Sequence, residues 1–402
     1  MLNSLSKYFP AIAAKRLSQV EVQPRSSNQH EFNGIGEFRK ILGTEKATFE
    51  TTYIRLNDDE GKVISSLGTM TWYDARENHP VRSEYRLYYS SNEVIKSSVV
   101  GDLVIVGKMT GNKLAVVIAP QGSTSEKQLL WLFGIAEIGN GFTVKDFSHD
   151  KLDIGFAGRY ILSSIGFEIE ETAPDYLEDL INLFGKTFPS TKIFSDFARS
   201  TVKDVSPIEE PDKTLMIWLE REELLFKTLE SSIVKEKLET GFGKDGKDVD
   251  DFIKFSLSVQ NRRKARAGFA FENNLALIFK LNGLSYSHGA ITERNNKPDF
   301  IFPGSIQYHS QDFDVNLLTM LGVKTTAKDR WRQVLSEATK IHHKHLITLE
   351  PSISRNQTED MIANGLQLVI PEPLFTTYSL DQQKQLLTVR GFIEMVYRKQ
   401  KT

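Results

Sequence analysis

The stretch KPDFIFPG, residues 297–304, followed by MLGVKTTAKDRWRQVLSEATK, residues 320–340, decides how the rest of the chain is read. In the first segment one aspartate leads an apolar run. In the second a lysine ends another. Short apolar runs bounded by Pro, Gly and Thr are strand patterns, and if the two strands pair, Asp299 and Lys324 become neighbours. Hydrolysis of a phosphodiester at neutral pH needs acidic oxygens to hold a hard divalent cation, usually Mg2+. It also needs a lysine that neutralises charge and helps position or deprotonate the attacking water. Yet the position two before the lysine, where an Asp…Glu-x-Lys arrangement carries its second acid, is Gly322. Glu337 can supply that carboxylate from a helix expected over 327–341. On that helix Arg330, Gln333, Val334, Glu337 and Ile341 share a face by i, i+3, i+4 spacing. Glu272, on an earlier expected helix, is a further candidate acid. The plain alternative is a strand pair with polar ends, since aspartate after proline commonly caps a turn and lysine commonly ends a strand in solvent.

Outward from this stretch, 402 residues allow two domains or more. A net charge of −2 means that any nucleic-acid contact must use local basic patches. The chain contains no cysteine, which removes disulfides, thiolate metal sites and cysteine nucleophiles and fits a reducing interior. No apolar run approaches the roughly 20 residues of a membrane span. The opening segment MLNSLSKYFPAIAAKRLS is basic but lacks a secretory pattern, so the cytoplasm is the expected location and no membrane partner is expected.

The first 170 residues read as strands (ATFETTYIRL, MTWYDA, SEYRLYYSS, DLVIVGKM, KLAVVIAP), closely spaced in the manner of a barrel or sandwich. Prolines 174, 189, 207 and 211 then mark a change of character, with a linker or hinge expected over 171–184. From 185 to 402 the pattern is mixed. Helices are expected over 214–240 and 267–283, strands near 299–302, 317–323, 345–349 and 366–370, and a last helix near 380–398, which together argue for an α/β domain. The run KFSLSVQNRRKARAG carries Lys254, Arg262, Arg263, Lys264 and Arg266 without an intervening acid, a surplus suited to phosphate contact or to a solvated helix face.

The words NRRKARAG, TERNNKPDFIFPG and VKTTAKDRWRQVLSEATKIH resemble the catalytic half of EcoRII-type Type II restriction endonucleases, over most of 185–402. The resemblance implies a PD-(D/E)xK restriction-endonuclease-like domain that takes one acid from beyond the lysine. It makes Asp299 and Glu337 the metal-binding acids for Mg2+, Lys324 the catalytic lysine, and Glu272 an additional acid near a second metal position. Lys328, Asp329 and Arg330 then acquire a role. Lysine and arginine donate to guanine O6 and N7, and a carboxylate accepts from cytosine N4, so the triplet suits outer CC and GG steps of a short pseudo-palindrome. A solvated helix start remains the plain reading of the same triplet. Some relatives extrude the central base pair between an arginine and an aromatic four residues later; here Arg221 is followed at that spacing by Leu225.

More loosely, AKRLSQVEVQ with NQHEFNG is similar to the family's amino-terminal DNA-binding pseudobarrel. That similarity implies a first domain over 1–170 that binds a second copy of the site as effector and covers the catalytic cleft until it does. Lys15, Arg16, Arg25, Asn28, Gln29 and His30 suit one DNA-gripping arm, and Arg76, Arg82, Arg86 and Tyr85 the other. The family further implies a homodimer, double-stranded DNA carrying two or more copies of the site, and a cognate DNA methyltransferase as functional counterpart. The rival reading is a sequence-specific DNA-binding regulator without cleavage activity; a shape-selective repair nuclease is a third. The HHKH run at 342–345, the glycines of GFGKDGKDVDD and the lone Tyr308 lack the spacing or partners of a transition-metal site, a P-loop or calcium loop, and a covalent nucleophile.

Overall fold

The computed structural model describes residues 4–22, 30–33, 35–58, 63–139, 141–149, 154–167, 173–328 and 330–402. Asn28, Gln29 and Asp329 lie outside them, as does Arg25. The chain divides into two compact units. The first comprises Met1–Ile169 with Pro351–Gln357, and the second Glu170–Glu350 with Thr358–Thr402.

The first unit is built on one eight-stranded sheet. Its strands are β1 (Ala11–Arg16), β2 (Glu31–Phe32), β3 (Ala47–Arg55), β4 (Ile64–Asp74), β5 (Tyr85–Tyr89), β6 (Leu103–Lys108), β7 (Lys113–Ala119) and β8 (Thr143–Asp146). They lie in the order β2-β5-β4-β3-β7-β6-β1-β8. The central strands are apolar on both faces, and alternation sends their side chains into two separate cores. Ala11, Ala13, Val104, Val106 and Val116 join Tyr53, Met70, Trp72 and Tyr89 inside the curl of the sheet. Ile12, Ala14, Ile105 and Val117 face the other way, against Leu129 and Leu162 of two short helices, α1 (Thr124–Leu132) and α2 (Gly155–Ser164), and against Phe133 just past the end of α1. The run DLVIVGKM is continuous rather than alternating for that reason.

The second unit pairs a helical layer with a five-stranded sheet. Helices α3 (Leu177–Phe184), α4 (Thr191–Ser200), α5 (Pro211–Thr240) and α6 (Val249–Leu281) supply the layer. Leu180, Phe194, Leu225, Phe226 and Leu229 form its core, with Tyr176 and Phe184 packed against it. From Ala173 onward, therefore, the stretch expected to be a hinge contributes to a packed core. The sheet contains β9 (Ser287–His288), β10 (Phe300–Phe302), β11 (Thr319–Lys324), β12 (Lys344–Thr348) and β13 (Leu366–Val369), in the order β13-β12-β11-β10-β9. β9, β10 and β11 are antiparallel neighbours, whereas β11, β12 and β13 run parallel. Phe279 of α6 clamps the layers together, with its ring 5.3 Å from both Phe300 and Phe302 and 5.9 Å from Phe392 of the terminal helix, Val389–Lys401.

Three helix expectations are corrected. The helix expected over 327–341 is only α7, Trp331–Leu335. Its start is delayed by a loop with Lys328 at φ +27°, and Ala338 at φ +45° turns the chain away soon after its end. The helix expected from 267 begins eighteen residues earlier, at Val249, so the basic run lies within α6. The final helix is interrupted: Leu387 takes a place beside β13, with its amide donating to the Leu368 carbonyl at 3.0 Å and its carbonyl accepting from Ile370 at 2.8 Å.

Candidate active site

β10 and β11 pair with Phe300 opposite Leu321, which brings Asp299 alongside Gly322 and the end of β11. The Asp299 carboxylate accepts from the Val323 amide at 2.6 Å and from Lys324 Nζ at 2.8 Å. Both side chains of this ion pair are mostly buried. The sheet thus brings together the aspartate and lysine on which the sequence reading turned.

The third member arrives because of Gly322. A Cβ there would lie 2.9 and 3.1 Å from the two methyls of Val334, inside van der Waals contact. The bare strand lets α7 settle directly onto β11, and the next turn carries Glu337, whose amide donates to the Val334 carbonyl at 3.2 Å. Lys344 Nζ holds the end of this turn by donating to the carbonyls of Leu335 and Glu337. Glu337 Oε2 is buried without a hydrogen-bond partner. Burial, reinforced by the nearby Asp299 charge, raises its carboxyl to about 7, against the opposing pull of Lys324 and Lys344. A buried carboxylate oxygen lacking a donor, beside a second acid, is chemically suited to a hard cation. No cluster of three or more His, Asp or Glu side chains able to hold a metal ion occurs among the described residues.

Glu272 extends from α6 to hydrogen-bond His288 of β9 at 2.9 Å. That bond, together with the Glu272 and Asp299 charges, raises the His288 imidazole above its ordinary value. Sequence reading missed His288, a solitary histidine on a two-residue strand that only the pairing His288–Phe300 brings to the site.

Downstream of Lys324, the loop leading to Lys328 and Arg330 is tied down by the fully buried Glu350. Its Oε2 accepts the amides of Ala327 at 2.6 Å and Lys328 at 3.1 Å. Arg330 is exposed at the N-terminus of α7. On α6 the basic residues divide. Arg262 stacks over Phe188 at 4.1 Å, and Arg263 Nε donates to the buried Glu230 at 2.5 Å. Arg266 is buried among Phe188, Phe194 and Phe226. Lys264 and Lys254 are exposed.

In the first unit, Lys15 is buried and paired with Glu21 at 2.6 Å. Arg16 pairs with Glu126 and donates to the Gly101 carbonyl at 3.1 Å. Both serve the packing of β1, an assignment different from the DNA-gripping arm expected of them. Arg86 bridges Glu31 and Glu84, His30 lies edge-on to Tyr89, and Arg82 is exposed.

The features set aside from the sequence have ordinary explanations. Tyr308 is buried and donates to Glu293 at 2.6 and 2.8 Å, and burial forces His345 down to about 4. Arg221 lies 4.0 Å over the Tyr176 ring, while Leu225, four residues on, is in the helical core.

Residues 226–393 match the family described as EcoRII C terminal. The chain is 41% identical over 207 residues to the Type II restriction enzyme EcoRII of Escherichia coli, a match covering 51% of this chain and 50% of that protein, so about half of the relative's length is spanned. Metal-depleted Ecl18kI in complex with uncleaved, modified DNA aligns with a TM-score of 0.44 at 18% identity, over 57% of this chain and 85% of that one. The restriction endonuclease PspGI–substrate DNA complex aligns with a TM-score of 0.40 at 15% identity, over 59% of this chain and 94% of that one. Asp299, Lys324, Glu337 and the loop beyond them all lie within the stretch, residues 226–393, that matches the EcoRII C-terminal family.

Proposed function

We propose that this protein is a Type II restriction endonuclease that makes Mg2+-dependent double-strand breaks at a short pseudo-palindromic DNA site with a CC…GG core. The observation that carries the reading is the convergence at the β11 end: an Asp299–Lys324 ion pair beside Glu337, whose buried oxygen has no donor. Asp299 and Glu337 are the residues that would hold Mg2+, which when bound supplies charge neutralisation and Lewis acidity at the scissile phosphate. Lys324, fixed at a strand end, donates toward the attacking water or the phosphate. Glu272 is oriented by His288 at the edge of the same sheet.

Lys328, Asp329 and Arg330 read the outer G·C pairs, and the exposed Lys264 contributes phosphate contact together with whatever reach Arg262 and Arg263 retain from their partners. A pseudo-palindrome offers one half-site to each of two subunits. The exposed apolar residues Leu238, Val249, Phe252, Ile253 and Leu257 along α5 and α6 give a second copy a surface to cover. The first unit is a pseudobarrel that binds another copy of the site as effector and restrains cleavage until then. Its grip falls chiefly to the exposed Arg82, with Asn28, Gln29, His30 and Arg86. The partners are double-stranded DNA and a cognate methyltransferase that protects host sites, in the cytoplasm.

Digestion of a defined plasmid with purified protein and Mg2+, followed by sequencing of the ends, tests the reading; random ends or intact DNA refute it. Lys324→Ala separates it from a regulator: cleavage should be lost with DNA binding retained, whereas a regulator is unchanged in every activity. Adding a short duplex that carries the site should accelerate cleavage of a one-site plasmid, and no acceleration rules out effector control.

A further inference from the structure

We infer that Glu350 is a positioning residue for sequence recognition, setting the loop from which Lys328 and Arg330 reach the bases. The inference rests on the reading of that loop as the base-contacting element. β11 and β12 run parallel, with Lys324 opposite Thr348. Two residues beyond Thr348 the chain places Glu350, a fully buried carboxylate. The loop after Lys324 is held at successive points by this neighbouring strand end. Thr348 Oγ1 donates to the Thr325 carbonyl at 3.3 Å. Glu350 Oε2 then accepts both the Ala327 amide, at 2.6 Å, and the Lys328 amide, at 3.1 Å. The Glu350 backbone is itself fixed, its amide donating to Thr348 Oγ1 at 3.2 Å.

Two features make this more than ordinary packing. Two main-chain amides converge on one carboxylate oxygen shut off from water, so the side chain gives a directed restraint rather than simple filling. In addition, Lys328 is held at φ +27°, a backbone region L-residues rarely occupy, and such strain persists only where the surroundings impose it. Glu350 bonds to that residue's own amide. Base readout by lysine and arginine depends on placing donors within a fraction of an ångström of O6 and N7. A buried carboxylate bonded to the loop backbone supplies that placement from behind, out of reach of DNA.

The role predicts a split between binding and chemistry. Lys324 and Asp299 belong to the paired strands, and the turn carrying Glu337 is held separately by Lys344 and by Val334 against Gly322, so weakening the anchor should spare cleavage once DNA is bound. The isosteric Glu350→Gln replaces one carboxyl oxygen by an amide NH2 and leaves the volume. The probes are a fluorescent duplex carrying the site mapped by plasmid digestion and the same duplex with one outer G·C pair replaced by A·T, bound in Ca2+ to prevent cutting. Glu350→Gln is expected to weaken binding to the site duplex on the order of tenfold to a hundredfold. Binding to the altered duplex should change little, so discrimination falls, while single-turnover cleavage of saturated complex in Mg2+ stays within about threefold of the parent. Glu350→Asp, which keeps the carboxyl group one methylene short, should recover part of the discrimination, and it decides the question by the same readouts where the glutamine variant fails to fold. Unchanged discrimination in a folded variant overturns the inference, as does equal loss of binding to both duplexes, which would mark a general structural defect. Arg330→Ala is measured in parallel: if it too discriminates like the parent, the loop does not read bases and the underlying reading fails, whereas a defect in Arg330→Ala with none in Glu350→Gln refutes the anchor alone.

Discussion

Adding a single methyl group at Gly322 tests the physical account of the site most directly. A Cβ there would approach the Val334 methyls to 2.9 and 3.1 Å, against about 3.5–4.0 Å for unstrained carbon contacts. Roughly 0.5 Å of retreat is therefore required. Val334 has little freedom to provide it, being fully buried, restricted at χ1 by its β-branch, and carried on a short helix whose last carbonyls are held by Lys344. Overpacking of this kind costs about 1–3 kcal/mol, and the reduced unfolded-state entropy of alanine returns up to about 1. Gly322→Ala should thus destabilise the second unit by about 1–2 kcal/mol. Val334→Ala alone leaves a cavity costing about 1–3 kcal/mol. In the double variant the clash is gone, so Gly322→Ala should cost nothing there, giving a coupling of about 1–2 kcal/mol. Urea unfolding followed by tryptophan fluorescence measures each corner of the cycle, since Trp331 and Trp218 are both buried in this unit. The functional consequence is counterintuitive. Gly322→Asp, which restores an acid where the familiar motif carries one, should lower cleavage by about a hundredfold or more, because it displaces the helix that brings Glu337 to the site. Additive single-variant costs, or full activity in Gly322→Asp, would refute the reasoning.

Three further expectations follow from the same geometry. Glu337 is raised from 4.5 to about 7, so the folded protein retains a proton that the unfolded chain has lost; metal-free stability should fall as pH climbs from about 4.5 to about 7 and level off above, while stabilisation by Mg2+ should be larger at about pH 8 than at about pH 6. Melting curves with and without Mg2+ check both slopes, and Glu337→Gln should flatten them. If the protein pairs through its exposed apolar surface as proposed, Phe252→Glu with Leu257→Glu should shift sedimentation from dimer to monomer without lowering the melting temperature; an unchanged sedimentation coefficient shows that this face joins no second copy. Lys15→Ala strands the buried Glu21 and should cost the first unit roughly 3–5 kcal/mol, whereas Arg82→Ala should leave stability intact and weaken effector-DNA binding, as fluorescence anisotropy would show.

How much of this was legible in the sequence depended on whether the deciding partner lay nearby in the chain. Asp299 and Lys324 could be read because each sits at the end of a short apolar run and the pairing of two such runs is a local inference. Glu337 was reached through family resemblance and a helix drawn too long; its position depends on a methyl-sized gap at Gly322 that no periodicity reveals. His288 and Glu350 carried no signal, because an isolated polar residue acquires meaning only from the strand register that sets it beside Asp299 or beneath Ala327 and Lys328. The amino-terminal cations show the converse limit. Lys15 and Arg16 stand together in a basic segment, but their charges are answered by Glu21 across a turn and by Glu126, 110 residues away. Arg263 is likewise answered by Glu230 on the neighbouring helix. A count of positive charges along a segment therefore overstates what DNA can meet. Of the cations expected to meet DNA, Lys254, Lys264 and Arg330 in the second unit and Arg76 and Arg82 in the first are exposed, Arg76 beside Glu84. The salt dependence of binding by each unit should scale with these few rather than with the whole basic run.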